Sequence, residues 1–130
     1  MAKSLADILR AAREQINEIS GDALEALLLS NRDDILIVDV RDVEEYQKNR
    51  LPGAIHAPRS HIEELADLEY GHRHPELSVA RERMVVLYCR SGSRSTLAAV
   101  ALQEMGFTNI HSLAGGITVW DADDRLVILD

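Results

Sequence analysis

A chain of 130 residues that is 46% hydrophobic is long enough to bury one core and short for two. Its formal net charge of −8 argues against a general nucleic-acid-binding surface. The single cysteine excludes an intramolecular disulfide and any cysteine-built metal cluster, and no apolar run approaches membrane-spanning length.

Residues 4–16 predict an amphipathic helix: Leu5, Ile8, Leu9, Ala12 and Ile16 recur at helical spacing, and Ser4 with Asp7 forms a capping-box pattern. Its apolar stripe is expected to pack on the body of the protein rather than on a membrane. The same stretch lacks the apolar core of a signal peptide. A short edge strand is expected within 16–19, and Gly21-Asp22 opens a helix with Ala23, Leu24, Leu27 and Leu28 on one face. Ile35-Leu36-Ile37-Val38-Asp39 is continuously apolar up to its last residue, the signature of a parallel strand covered on both faces. Asp42 and Glu45 cap a short helix carrying Val43 and Tyr46, and Asn49 is expected to end it in the left-handed conformation. Leu51-Pro52-Gly53 turns the chain into a brief strand over 54–57, closed by Pro58.

A helix over 60–68 and a polar loop over 70–75 are expected next, the loop overhanging the pocket around Cys89. His72 and His74 lie in it, but two histidines two apart with no further ligand nearby do not make a metal site. Met84 to Tyr88 is a second buried-strand run ending in Cys89. A helix follows from near Ser93 to Gly106, a strand over 107–113, and a short turn or helix over 117–120 after Gly115-Gly116. The apolar residues 126–129 suggest an extended segment lying on the body. Alternating strands and helices, with no internal repeat, predict a single α/β domain over 1–130 with a mainly parallel sheet.

The chemistry concentrates in Cys89-Arg90-Ser91-Gly92-Ser93-Arg94-Ser95. A strand delivers the cysteine to the carboxyl edge of the sheet, where open α/β folds bind ligands. Gly92 permits a tight turn that aims successive N–H groups at one atom, and the following helix adds its unpaired amides. With Arg90 and Arg94, these features favour thiolate over thiol, and the thiolate is the nucleophile. The amides of residues 90–94 are expected to hold it, and Ser91, Ser93 and Ser95 offer hydroxyls. Asp39 and Arg41 read as a structural ion pair at a strand end, and Arg59 as a second contact for an anion. No second cysteine can resolve a sulfur adduct, so any such chemistry finishes with an external acceptor.

Three stretches in order resemble the single-domain rhodanese family of sulfurtransferases: Val38-Asp39-Val40-Arg41 with Glu44-Glu45-Tyr46 and Leu51-Pro52-Gly53; the Cys89 loop; and Gly106-Phe107 with Leu113-Ala114-Gly115-Gly116 and Trp120. Asn49-Arg50-Leu51 departs from the family's usual Gly-His-Ile. The resemblance implies a three-layer domain with a central five-stranded sheet and helices on both faces. It also implies a thiosulfate sulfurtransferase that needs no cofactor. The Cys89 thiolate takes the outer sulfur of thiosulfate or a similar small anionic donor, sulfite leaves, and the persulfide passes its sulfur to cyanide or a thiol. The alternative it leaves is a sulfur carrier that delivers the persulfide to a partner protein with little free turnover. A free, activated thiol suits the cytoplasm. A related phosphatase is the rival within chemistry, but only Arg90, Ser91, Gly92 and Ser93 separate Cys89 from Arg94, one residue fewer than that loop requires.

Overall fold

The computed structural model describes residues 1–129. Helix α1 (Leu5–Gln15) is closed at its start by the Ser4–Asp7 capping box, and strand β1 (Asn17–Ile19) follows at one edge of the main sheet. Ser20 caps helix α2 (Gly21–Asn31), after which β2 (Ile35–Asp39), α3 (Val43–Lys48), β3 (Asn49–Arg50) and β4 (Ile55–His56) succeed one another. Helix α4 (Ile62–Ala66) and a 3₁₀ turn (Leu77–Val79) lead to β5 (Met84–Tyr88). The chain then runs through α5 (Ser93–Glu104), β6 (Ile110–Leu113), α6 (Gly116–Ala122) and β7 (Ile128–Leu129).

The main sheet has the order β1-β6-β5-β2-β4, all parallel, as the apolar strands demanded. Side chains alternate across it. Leu36, Val38, Val85 and Leu87 pack with α5 residues Ala98 and Leu102 and with Ile62 on one face. Ile35, Ile37, Val86 and Tyr88 pack with Leu24, Leu28, Ile117 and Trp120 on the other. The chain leaves β2 toward β4 but leaves β5 in the opposite direction toward β6. Their carboxyl ends therefore flank the crevice where this class of sheet places its ligands. Asp39 and Cys89 stand there, one at the last residue of β2 and the other just past the end of β5.

Four expectations need correction. Asn49 is extended (φ −160°), not left-handed, because Arg41 binds both its side-chain and main-chain oxygens and draws it into β3. The helix expected over 60–68 shrinks to α4, since Pro58 to His61 closes a turn of its own. The last strand of the main sheet begins only at Ile110. The 70–75 loop does not overhang Cys89: His74 bonds back to Leu65, while Glu76 and Arg83 reach the start of β2 at the opposite edge of the sheet. His74 Nδ1 accepts the N–H groups of Glu76 and Leu77 and shapes the turn there. The apolar tail becomes β7, paired antiparallel with β3. No helix among the described residues is long and apolar enough to cross a membrane.

Candidate active site

Gly92 organises the loop after β5. It adopts φ +116°, a region that favours glycine, and serves as N-cap of α5. Its carbonyl is fixed by three donors, Thr96 N–H (3.1 Å), Thr96 Oγ1 (2.7 Å) and Ser95 Oγ (3.2 Å). With the residue so held, Gly92 N–H donates to Cys89 Sγ at 3.1 Å and Ser95 N–H at 3.4 Å. Ser95 Oγ lies 3.5 Å from the sulfur and 2.8 Å from Ser112 Oγ on β6.

The cradle is narrower than expected and shifted by one residue. Among the described residues, the amides of Arg90, Ser91, Ser93 and Arg94 make no hydrogen bond to Sγ, and the second amide is that of Ser95. Ser91 is exposed and Ser93 half-buried. Cys89 itself is only 1% exposed and packs with the core on the α5 face.

The two arginines separate. Arg94 turns to α3 and forms a two-pronged pair with Glu45, Nη1 to Oε1 at 2.7 Å and Nη2 to Oε2 at 3.0 Å. Those hydrogen bonds hold the Glu45 carboxyl below its ordinary value and raise the Arg94 guanidinium above its own. Glu45 also accepts the Asp42 N–H, so one carboxylate caps α3 and braces the Cys89 loop. Arg90 remains exposed. Its carbonyl accepts Thr118 N–H at 3.1 Å, and the Cys89 carbonyl accepts Ile117 N–H at 3.0 Å. Gly116 makes this docking possible: a Cβ there would lie 2.5 Å from both carbonyl oxygens, and its φ is +59°.

Beside the loop lies a cavity of about 380 Å³, walled by Arg41, Glu45 and Asn49 on one side and Arg90, Thr118 and Asp121 on the other. Arg41 joins this wall to a buried group at the end of β2. Arg41 binds Asp39 through Nε (3.1 and 3.2 Å) and Nη2 (2.8 Å). Tyr88 donates its hydroxyl to Asp39 Oδ2 at 2.7 Å and accepts Leu51 N–H at 3.1 Å. Burial, reinforced by the Asp39 charge, pushes the Tyr88 phenol up, keeping it a neutral donor. Burial pulls the Arg41 guanidinium down, but its bonds and attraction to Asp39 outweigh that and the net shift is upward. Asp39 and Arg41 are thus brought together as a structural pair. Arg59 is not brought to the site: it pairs with Glu63 at 2.9 Å and lines a different hollow, between α1 and α5.

Sequence reasoning missed three residues. Ser112 is a fully buried hydroxyl beside half-buried His111 on β6, and no local signal in the sequence marks it. Glu45 reads in the sequence as a helix cap and as part of the family resemblance, without its pairing to Arg94. Gly116 reads as the residue leading into a turn or helix over 117–120 and as part of the family resemblance, without its contact against the Cys89 loop.

Known proteins share this sequence pattern and fold. The family model for the Rhodanese-like domain matches residues 22–123. A sulfurtransferase of Allochromatium vinosum is 32% identical over 105 residues, covering 81% of this chain and 88% of that protein. The thiosulfate sulfurtransferase GlpE of Coxiella burnetii is 32% identical over 99 residues, covering 76% and 83%. A solved structure from Rhodopseudomonas palustris, described as a protein of unknown function and possible tyrosine phosphatase, superposes with a TM-score of 0.89. It is 26% identical, with 98% of this chain and 96% of that one covered.

Proposed function

The chain belongs to the rhodanese-like domain family, and we propose that it is a sulfurtransferase whose Cys89 carries the sulfur as a persulfide. The observation that carries this reading is the convergence of Gly92 N–H and Ser95 N–H on a single sulfur atom at the carboxyl end of β5. Two amide donors favour a charged sulfur over a neutral one, in a thiolate and in a persulfide alike. In the first step the thiolate attacks the outer sulfur of thiosulfate or a like anionic donor. The S–S bond of the donor breaks, and sulfite departs with the electron pair. Exposed Arg90 gathers the dianion at the mouth of the cavity. Cyanide or a thiol then takes the sulfane sulfur and restores the thiolate.

The neighbour from Rhodopseudomonas palustris raises phosphoryl transfer as a rival. In this chain the guanidinium that a phosphatase loop would turn on its substrate belongs to Arg94, and both its outer nitrogens are committed to Glu45. That commitment favours sulfur transfer.

The burial of Cys89 sets the condition for the reading: the donor must reach a sulfur that the loop covers. Incubation with thiosulfate followed by mass spectrometry of the intact protein tests both at once. Uptake of one sulfur, about 32 Da, that is lost in Cys89→Ser is the expected result in a nucleophile mechanism. An unmodified chain, together with no alkylation of native Cys89 by iodoacetamide, would show the sulfur to be sealed in the core and end the proposal. Turnover of thiosulfate with cyanide distinguishes an enzyme from a carrier, which would form the adduct and release it only to a partner protein.

A further inference from the structure

The charges around the cavity cancel in pairs until two remain. Arg41 is neutralised by Asp39, and Glu45 by Arg94. Arg90 and Asp121 are left: both are exposed, and among the described residues neither side chain has a hydrogen bond or ion pair. Helix α6 fixes their relation. Thr118 N–H is bonded to the Arg90 carbonyl, and Asp121 follows Thr118 by three residues, on the same face of the helix. The mouth therefore offers one free cation and one free anion, with no net charge between them.

A dianion such as thiosulfate finds a partner in Arg90 and an opponent in Asp121. A cavity meant for that substrate alone gains nothing from the aspartate. The second half-reaction supplies a reason for it. We propose that the sulfur acceptor is a small thiol bearing an ammonium group, and that Asp121 is the specificity-determining residue that holds this ammonium; this rests on the sulfur-transfer reading above. The Cys89 persulfide takes the proton of the acceptor thiol, and the resulting thiolate attacks its outer sulfur. A new S–S bond forms, and the bond to Sγ breaks with its electron pair remaining on Sγ. The sulfane sulfur leaves with its proton as the acceptor persulfide, so no oxidant or reductant is consumed. An ammonium near the thiol also raises its thiolate fraction, adding to the attraction by Asp121. Cyanide, an anion with no cationic group, gains nothing from Asp121.

The test separates the half-reactions. Wild type and Asp121→Asn are loaded with thiosulfate and desalted. They are then mixed at low ionic strength with cysteamine, 2-mercaptoethanol or 3-mercaptopropionate, and loss of the sulfur is followed by quenched mass spectrometry. The ratio of variant to wild type for each thiol removes differences in intrinsic reactivity. Relative to neutral 2-mercaptoethanol, the ratio should fall about three- to fivefold for cysteamine and rise by a similar factor for 3-mercaptopropionate. In the loading step the variant should require less thiosulfate. A merely structural aspartate would move all of these in one direction. The same ratio for all three thiols would overturn the assignment while leaving Cys89 sulfur transfer intact. Failure of Cys89 to load in the wild type would remove both.

Discussion

Gly116→Ala perturbs the joint between α6 and the Cys89 loop without touching a reacting group. The new methyl would stand 2.5 Å from the carbonyl oxygens of Cys89 and Arg90. An ordinary carbon–oxygen contact is about 3.3 Å, so α6 and the loop must part by roughly 0.8 Å. That separation takes the bonds from Ile117 N–H (3.0 Å) and Thr118 N–H (3.1 Å) out of hydrogen-bonding range. Two lost backbone bonds at about 0.5–1.5 kcal/mol each, with about 1 kcal/mol for alanine at φ > 0, give a destabilisation of about 2–4 kcal/mol. In urea unfolding this lowers the midpoint by about 1–2 M, with the slope unchanged. Displacing the loop by such a distance should cost roughly 10- to 100-fold in thiosulfate:cyanide turnover, measured where the variant remains folded. Gly115→Ala is the control: its methyl would meet the Val119 side chain, not the loop, so it should lose stability while keeping most of its turnover. If Gly116→Ala matched wild type within about twofold in turnover and unfolded at the same urea concentration, the argument that α6 braces the sulfur loop would be refuted.

Three further outcomes follow from the same contacts. Tyr88→Phe leaves the buried Leu51 N–H without an acceptor and takes one of several donors from Asp39; it should cost about 1–3 kcal/mol in urea unfolding while the folded variant keeps its turnover. A neutral effect on stability would mean that the phenol is replaceable by water or by Arg41. Glu45→Gln removes a carboxylate whose value is depressed below 4.5 chiefly by Arg94. Such a group contributes above its unfolded value and loses that contribution as pH falls through the folded one. The stability gap between wild type and variant should therefore be full at neutral pH, about 0.5–1 kcal/mol for a half-buried pair, and close on acidification. A gap that stayed constant would remove the ion pair as its cause. Arg90→Ala should raise KM for thiosulfate roughly three- to tenfold with kcat nearly held; an unchanged KM would assign Arg90 to the solvent.

The strands and the Cys89 loop were legible because their signals are local. Continuous apolar runs reveal a two-sided sheet, and a glycine between a strand and a helix reveals a turn with φ > 0. What could not be read depends on residues far apart in the chain. Arg94 and Glu45 are separated by 49 residues, and only the closeness of α3 to the loop makes them partners. Asn49 obeyed Arg41 rather than its own preference for a left-handed turn, which shows tertiary bonds overriding a weak local tendency. The tail declared itself apolar but not that it would pair with β3. The 70–75 loop misled for a different reason: nothing in its composition says at which edge of the sheet it lies.

Two glycines border the buried sulfur, and the difference between them bears on how it is reached. At Gly116 an added Cβ collides with the loop backbone, whereas at Gly92 it meets nothing within 4 Å. The loop is thus tightly backed on the side of α6 and unobstructed over Gly92. Exposed Arg90 and Ser91 lie on that unobstructed stretch, so the wall between solvent and sulfur includes the loop's own backbone. A rotation confined to the Ser91–Gly92 peptide would cost one bond, Gly92 N–H to Sγ, and leave the Arg90 carbonyl on Thr118 and the Gly92 carbonyl on Ser95 and Thr96. The Ser95 amide and hydroxyl, anchored in the first turn of α5 and to Ser112, stay in place through such a rotation. On the proposed chemistry the cradle then has a fixed half that holds the sulfur's charge and a movable half that admits the donor.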